Sequence, residues 1–285
     1  MKLWIIGNGF DLAHGLPTSY EHFHKWLKEH KRCQFVDMFE SMYPKVKNTD
    51  GLWSDIESAL GQTTVKEIVR YAKTYRYCPE DEVNSVGNIN VVTTGIQCYL
   101  DLWAKQIDLS PTKPTYKIDN DAKYLTFNYT MTLEQVYSIP AENILHIHHS
   151  VKSGSNLIIG CESSTESQRH VYAKESGADA ELHRVAKVEY DRYIKNPTYQ
   201  ISQNDRFFQS LNDINEVCVF GHSLSKVDMP YIKKVSECVC ENSHWHFYLK
   251  DYAPESIKCL TNLNGIVEEG QIHKHLSNEL KLNEQ

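Results

Sequence analysis

Leu3-Trp4-Ile5-Ile6-Gly7-Asn8-Gly9-Phe10-Asp11-Leu12-Ala13-His14-Gly15-Leu16-Pro17 carries an apolar run into a glycine-rich turn and on into a helical pattern. Four successive apolar residues suit a strand buried on both faces. Gly7 and Gly9 let the backbone turn tightly and approach another group closely, because no Cβ stands in the way. A helix that starts after such a turn points its free N–H groups outward, the arrangement that receives a phosphate. The expectation is a nucleotide-binding α/β protein. The same turn also admits a plainer reading, an ordinary strand-to-helix connection with Asp11 as the helix cap.

Working outward, three more apolar runs end in polar punctuation. Tyr124-Leu125 leads into Thr126-Phe127-Asn128-Tyr129-Thr130, Ile144-Leu145 into His146-Ile147-His148-His149, and Cys218-Val219-Phe220 into Gly221-His222-Ser223-Leu224. Strands are expected at 2–6, 124–127, 144–147, 157–159, 216–220 and 246–249. Short apolar runs separated by helical patterns favour a parallel sheet flanked by helices. Helices are expected from Thr18 or Ser19 through Phe23, Trp26 and Leu27, around Trp53, Ile56 and Leu60, and over 91–107, 174–193 and 228–240. In open α/β sheets ligands bind at the carboxyl ends of the strands, so Asn128, His148 and Ser223 should share a crevice with the Gly7 turn.

The chain has 285 residues, a formal charge of −7 and eight cysteines with no Cys-x-x-Cys pair. Its apolar runs lie at both ends and must pair to be buried. One domain is therefore expected over residues 1–285, with helical insertions at about 48–120 and 161–210. Residues 75–90, 150–155 and 162–169 read as polar, exposed connections, candidates for a flap. The acidic balance argues against a nucleic-acid partner, which calls for a basic patch. Cysteines such as Cys218 within Val217-Cys218-Val219 read as reduced, mostly buried thiols. With neither a signal-peptide pattern nor a membrane-length apolar run, a cytoplasmic protein with no membrane partner is expected.

Two resemblances rest on these residues. Gly7-Asn8-Gly9-Phe10-Asp11 through Gly15-Leu16-Pro17 resembles the sirtuin opening motif Gly-Ala-Gly-x-Ser-x-x-x-Gly-Ile-Pro. Thr126-Phe127-Asn128-Tyr129-Thr130 resembles the sirtuin Thr-Gln-Asn-Ile-Asp, Ile147-His148-His149 its His-Gly, and Gly221-His222-Ser223-Leu224 its Gly-Thr-Ser-Leu. The chain is more similar still to the AbiH abortive-infection family of bacterial phage-defence proteins. That resemblance runs through Ile5-Ile6-Gly7 to Pro17-Thr18, Leu52-Trp53-Ser54-Asp55-Ile56-Glu57, Phe127-Asn128-Tyr129-Thr130, and Phe220-Gly221-His222-Ser223-Leu224 with Asp228.

The sirtuin resemblance implies a Rossmann-like parallel sheet binding NAD, with Asn128 and His148 acting at the nicotinamide ribose. Gly7, Asn8, Gly9, Phe10, Asp11, Gly221, Ser223 and Asp228 would hold the nucleotide, Asp11 or Asp228 taking ribose hydroxyls. The AbiH resemblance implies abortive infection, set off by a phage or host trigger that the sequence does not name. A homo-oligomer is open as well, with a contact helix over 273–282. Three departures from the sirtuin pattern stand out. The zinc module built on two Cys-x-x-Cys pairs is absent, so deacylation is not expected; Thr130 replaces the motif aspartate; and His149 replaces the glycine beside the histidine. The last two bear on catalysis and not on nucleotide binding.

The implied reaction is cleavage of the nicotinamide N-glycosidic bond. That bond breaks through an oxocarbenium-like transition state, for which Asn128 would orient water and ribose and His148 would accept a proton. A neutral imidazole suits the second role near physiological pH. Each residue also has a plainer reading: Asn128 as a turn former, His148 and His146 as core histidines, His222 as filling of the crevice, and Asp55 and Glu57 as a solvated helix face. Two other functions stay open. One is a nucleotide sensor that binds NAD or ADP-ribose without turnover. The other is a metal-dependent nuclease or phosphodiesterase built on His146, His148 and Asp11 or Asp228, prompted by the His-x-His pairs at 22/24, 146/148, 244/246 and 273/275; for the leading reading no metal is expected.

Overall fold

Leu3, Trp4, Ile5 and Ile6 are all buried, because their strand is flanked on both edges and covered on both faces. In the computed structural model, which describes residues 1–43, 53, 56–74, 82–162 and 178–282, this strand is β1, Lys2–Ile6. It pairs in parallel with β2, Lys123–Thr126, on one edge and with β4, Glu216–Phe220, on the other. β3, Ile144–His146, continues the sheet beyond β2. Beyond β4 lie β5, His244–Leu249, and β6, Ile272–Leu276. The order is β3-β2-β1-β4-β5-β6, all parallel, which is the order of the doubly wound dinucleotide-binding fold. The expected α/β Rossmann-like class is the fold observed.

Alternation along the strands makes two cores. Leu3 and Ile5 join Leu125, Val217, Val219, Trp245 and Phe247 on one face, where Tyr231, Ile232 and Val235 of the helix Met229–Cys238 cover them. Trp4 and Ile6 join Tyr124, Cys218 and Phe220 on the other, under Phe10, Tyr116 and Tyr137. Strand order reverses between β1 and β4, so the turns that leave these two strands lie side by side. The Gly7 amide donates to the Phe220 carbonyl at 3.0 Å and the Gly9 amide to the Gly221 carbonyl at 2.9 Å. A Cβ on Gly7 would sit 2.5 Å from the His222 Cα, and one on Gly221 would sit 2.2 Å from the Phe10 nitrogen. Gly221 is also held at φ 69°.

The chain divides into two compact units: Met1–Thr18, Ala104–Leu157 and Asn196–Gln285 form the sheet unit, and Ser19–Trp103 with Ile158–Lys195 form the other. Residues such as Tyr116 and Phe208 are committed to the sheet cores. The second unit is helical, with the helix Tyr20–Glu29 capped by Ser19, whose hydroxyl accepts from the His22 amide at 3.2 Å. Phe23 packs against Trp53 and Trp103. Glu57 is no solvated helix face: Lys195, itself buried, places its ammonium 2.9 Å from the Glu57 carboxylate.

Several elements differ from the sequence expectation. Residues 157–159 join no sheet, and residues 82–90, read as an exposed connection, are the start of the helix Glu82–Ala104. The buried positions Ile89, Val92, Ile96 and Leu100 form its helical stripe. Residues 273–282 are no contact helix; they supply β6 and the short turn Ser277–Leu280. As an edge strand, Ile-His-Lys-His-Leu needs little apolar content. Of the described cysteines, all free, only Cys161 and Cys218 are buried. Asp55 and residues 75–81 and 163–177, which include parts of the expected connections, lie outside the described residues. Among the described residues no helix is long and apolar enough to cross a membrane.

Replacing Gly221 with alanine should destabilise the protein by about 3 kcal/mol, since the new methyl meets backbone that cannot swing aside and φ is in the left-handed region. Gly154 also has positive φ, 71°, but nothing lies within 4 Å of its Cβ position, so Gly154→Ala should be milder. Urea denaturation of both variants measures the difference, and equal midpoints would contradict the loop contact.

Candidate functional site

Asp11 lies inside the helix Asn8–Ala13, whose N-cap is Gly7, so it is not the cap. Its side chain is 1% exposed and turns toward the end of β2. Thr130 donates to Oδ2 at 2.5 Å and Thr132 donates to Oδ1 at 2.8 Å. Burial pushes the Asp11 carboxyl up to about 6, against hydrogen bonds from Thr130, Thr132 and the Asn128 side chain and the nearby His146 ring, which favour the charged form. Thr130 therefore does not leave this corner without a carboxylate. It receives one from the first turn, 119 residues away, and a second carboxylate at position 130 would repel it.

Asn128 lies two residues beyond the end of β2. Its amide donates to the Thr126 hydroxyl at 3.1 Å, and its carbonyl faces His146 Nδ1 at 3.0 Å. The side chain is 7% exposed, with the amide end bonded to Asp11 and the buried Oδ1 without a partner. A buried carbonyl oxygen with no donor carries a desolvation penalty that a bound molecule can relieve.

His148 stands beyond β3, 4% exposed, with its ring edge-on to Phe127 and Tyr231 at centroid distances of 5.2 and 5.8 Å. Its Nε2 is 3.5 Å from Asp228 Oδ1. Asp228 Oδ2 accepts from the Ser225 hydroxyl at 3.0 Å and lies 3.7 Å from His222 Nε2. His222 Nδ1 accepts from the Leu224 amide at 3.0 Å, which fixes the proton on the Nε2 that faces Asp228. One buried carboxylate thus stands between two imidazoles. Sequence reading assigned Asp228 to ribose and left His222 open; their pairing is visible only once the turn after β4 folds back on itself.

The remaining expected residues divide in two. Asn8 and Ser223 are exposed. The amides of Gly7, Gly9 and Phe10, read as a phosphate cradle, donate instead to Phe220, Gly221 and Gly7 carbonyls; these glycines close one turn onto another. His149 adopts φ 65°, where glycine would be at ease, and its ring turns to the Asn156 carbonyl at 2.8 Å. His146 is not paired with His148, because its Nε2 lies 2.9 Å from Glu134. Among the described residues no group of three or more His, Cys, Asp or Glu side chains is placed to hold a metal ion. An open cleft of about 650 Å³ adjoins the Asp11 cluster through Thr130, lined also by Met131, Gln135, Val151 and Lys152.

Two groups escaped the sequence reading. Thr132 completes the Asp11 nest. His14 Nδ1 lies 2.8 Å from the Phe10 carbonyl and its Nε2 2.6 Å from the Tyr137 hydroxyl, tying the first turn to Tyr137.

The family model described as Bacteriophage abortive infection AbiH matches residues 3–249, from the second residue of β1 to the last residue of β5. No curated protein and no solved structure matches the chain.

Asp11 generates a pH test. Its folded pKa, about 6, lies above the unfolded value of 3.8, so between these limits the folded state holds the extra proton. Stability is then full below the window and falls as pH rises through it, by up to ~3 kcal/mol. Asp11→Asn should remove that slope, measured by urea unfolding from pH 4 to 7; an unchanged slope would assign the titration elsewhere.

Proposed function

The chain belongs to the AbiH family of bacteriophage abortive infection proteins, and on that premise we propose that it acts by binding NAD and hydrolysing its nicotinamide N-glycosidic bond. The abortive-infection role follows from the family; the nucleotide chemistry is our reading of the site. One observation carries it: the partnerless, buried Oδ1 of Asn128 and the Asp228-backed ring of His148 stand at the carboxyl ends of neighbouring strands. The sirtuin-like order of motifs points the same way.

In this reading Asn128 Oδ1 accepts a hydrogen bond from the attacking water or a ribose hydroxyl. The water oxygen forms a bond to the ribose anomeric carbon as the bond to nicotinamide breaks. The bonding electrons neutralise the pyridinium ring, and nicotinamide leaves uncharged. His148 takes the proton from the water, and Asp228 steadies the imidazolium. Asp11, held by Thr130 and Thr132, replaces the motif carboxylate and positions Asn128. The amides of Gly7 and Gly9 are engaged within the fold, so the diphosphate would lie against the Asn8 and Ser223 side of the crevice.

A second reading, a sensor without turnover, is favoured by the burial of His148 and Asp228, 4% and 7% exposed. The metal-hydrolase reading loses one of its ligands, since both ring nitrogens of His146 are engaged, by Glu134 and Asn128.

Purified protein incubated with NAD should release nicotinamide and ADP-ribose. Asn128→Ala and His148→Ala should each reduce release by roughly a hundredfold or more. Asp228→Asn should act through His148, with a smaller loss and a shifted pH profile. NAD binding without release supports the sensor, and neither binding nor release overturns the nucleotide reading.

A further inference from the structure

The four histidines of β5 and β6 form a ladder on one side of the sheet. His244 Nδ1 lies 3.0 Å from His273 Nε2, and His246 Nδ1 lies 3.0 Å from His275 Nε2. The strand register sets His246 opposite His273 and Tyr248 opposite His275, so the rings interleave. Successive centroids, from His244 through His273, His246 and His275 to Tyr248, are 5.1, 4.9, 5.2 and 5.1 Å apart. Such stacking fixes the directions of the ring nitrogens. Lys274 alternates to the opposite face, so its charge does not face the ladder.

The inner rung has a feature of metal-binding histidines. His275 Nδ1 lies 3.5 Å from Glu279 Oε2, and Glu279 is itself held by the Leu276 amide at 2.8 Å. With the Glu279 carboxylate on its Nδ1 side, His275 in the Nδ1–H tautomer leaves the Nε2 lone pair on the side of His246, whose Nδ1–H it accepts in a hydrogen bond that an ion bound to both nitrogens would replace. The outer rung has no such carboxylate at His273 among the described contacts.

We propose that the His246–His275 rung is a binding site for a divalent late transition-metal cation, with Glu279 as the positioning carboxylate. Two nitrogens 3.0 Å apart, with imidazole–metal bonds of about 2.0–2.1 Å, subtend close to 90° at the ion. That angle fits adjacent positions of an octahedral or tetragonal ion such as Ni²⁺ or Cu²⁺, water completing the shell, better than a tetrahedral one. On binding, the His246 Nδ1 proton moves through solvent to Nε2, so no net proton is released. The ion would staple the edge strand β6, which lies beyond the 3–249 match to the family, to β5.

The untagged full chain titrated with Ni²⁺ in a calorimeter should take up the ion, with a rise in melting temperature. His246→Gln should abolish both effects, His244→Gln should retain them, and Glu279→Gln should weaken binding by roughly 10- to 100-fold. No uptake by the wild type, uptake that survives His246→Gln in a folded protein, or equal loss in His244→Gln would overturn the proposal. Because NAD is not in the titration, the outcome is independent of the catalytic reading.

Discussion

The close contact between the turns leaving β1 and β4 is the constraint on which the site depends. Strand order reverses there, and three glycines let backbone meet backbone without intervening side chains. The amides of Gly7 and Gly9 are bonded across the contact, so the two turns are joined by main chain. Phe10 and Asp11 then enter the fold at a fixed depth, one in the aromatic core and the other against the end of β2.

From that placement follows an unfavourable buried charge that the fold keeps. Asp11 has its carboxyl pushed up by burial, and two threonine hydroxyls and an amide only partly offset the penalty. Retaining such a group at the end of a sheet is more easily understood as service to a neighbouring site than as a contribution to stability. Beside it, the Asn128 side chain favours the charged form of Asp11, while its buried Oδ1 has no hydrogen-bond partner. A second buried carboxylate, Asp228, lies 3.5 Å from His148 on one side and 3.7 Å from His222 on the other.

Much of the sheet was legible because it is local. β1, β2 and β4 are short apolar runs closed by polar or glycine residues, and period alone separates them from the helices. β6 was not legible, since an edge strand carrying two histidines and a lysine lacks the apolar signal that burial imposes on inner strands. The stretch at 157–159 showed the converse, an apolar run that joins no sheet. Glu57 looked like a solvated position because its partner Lys195 lies 138 residues away.

The sequence by itself determined the fold class, the family and the polar residues gathered at the strand ends, because these depend on periodicity, backbone permissiveness and motif spacing along the chain. Tertiary structure alone decided what those residues touch: Thr130 with Asp11, Asp228 between two histidines, and the glycine amides spent on a neighbouring turn. The physical reason is that a buried polar group must find its partner in three dimensions, and nothing in local composition records which distant donor will be brought within 3 Å of it.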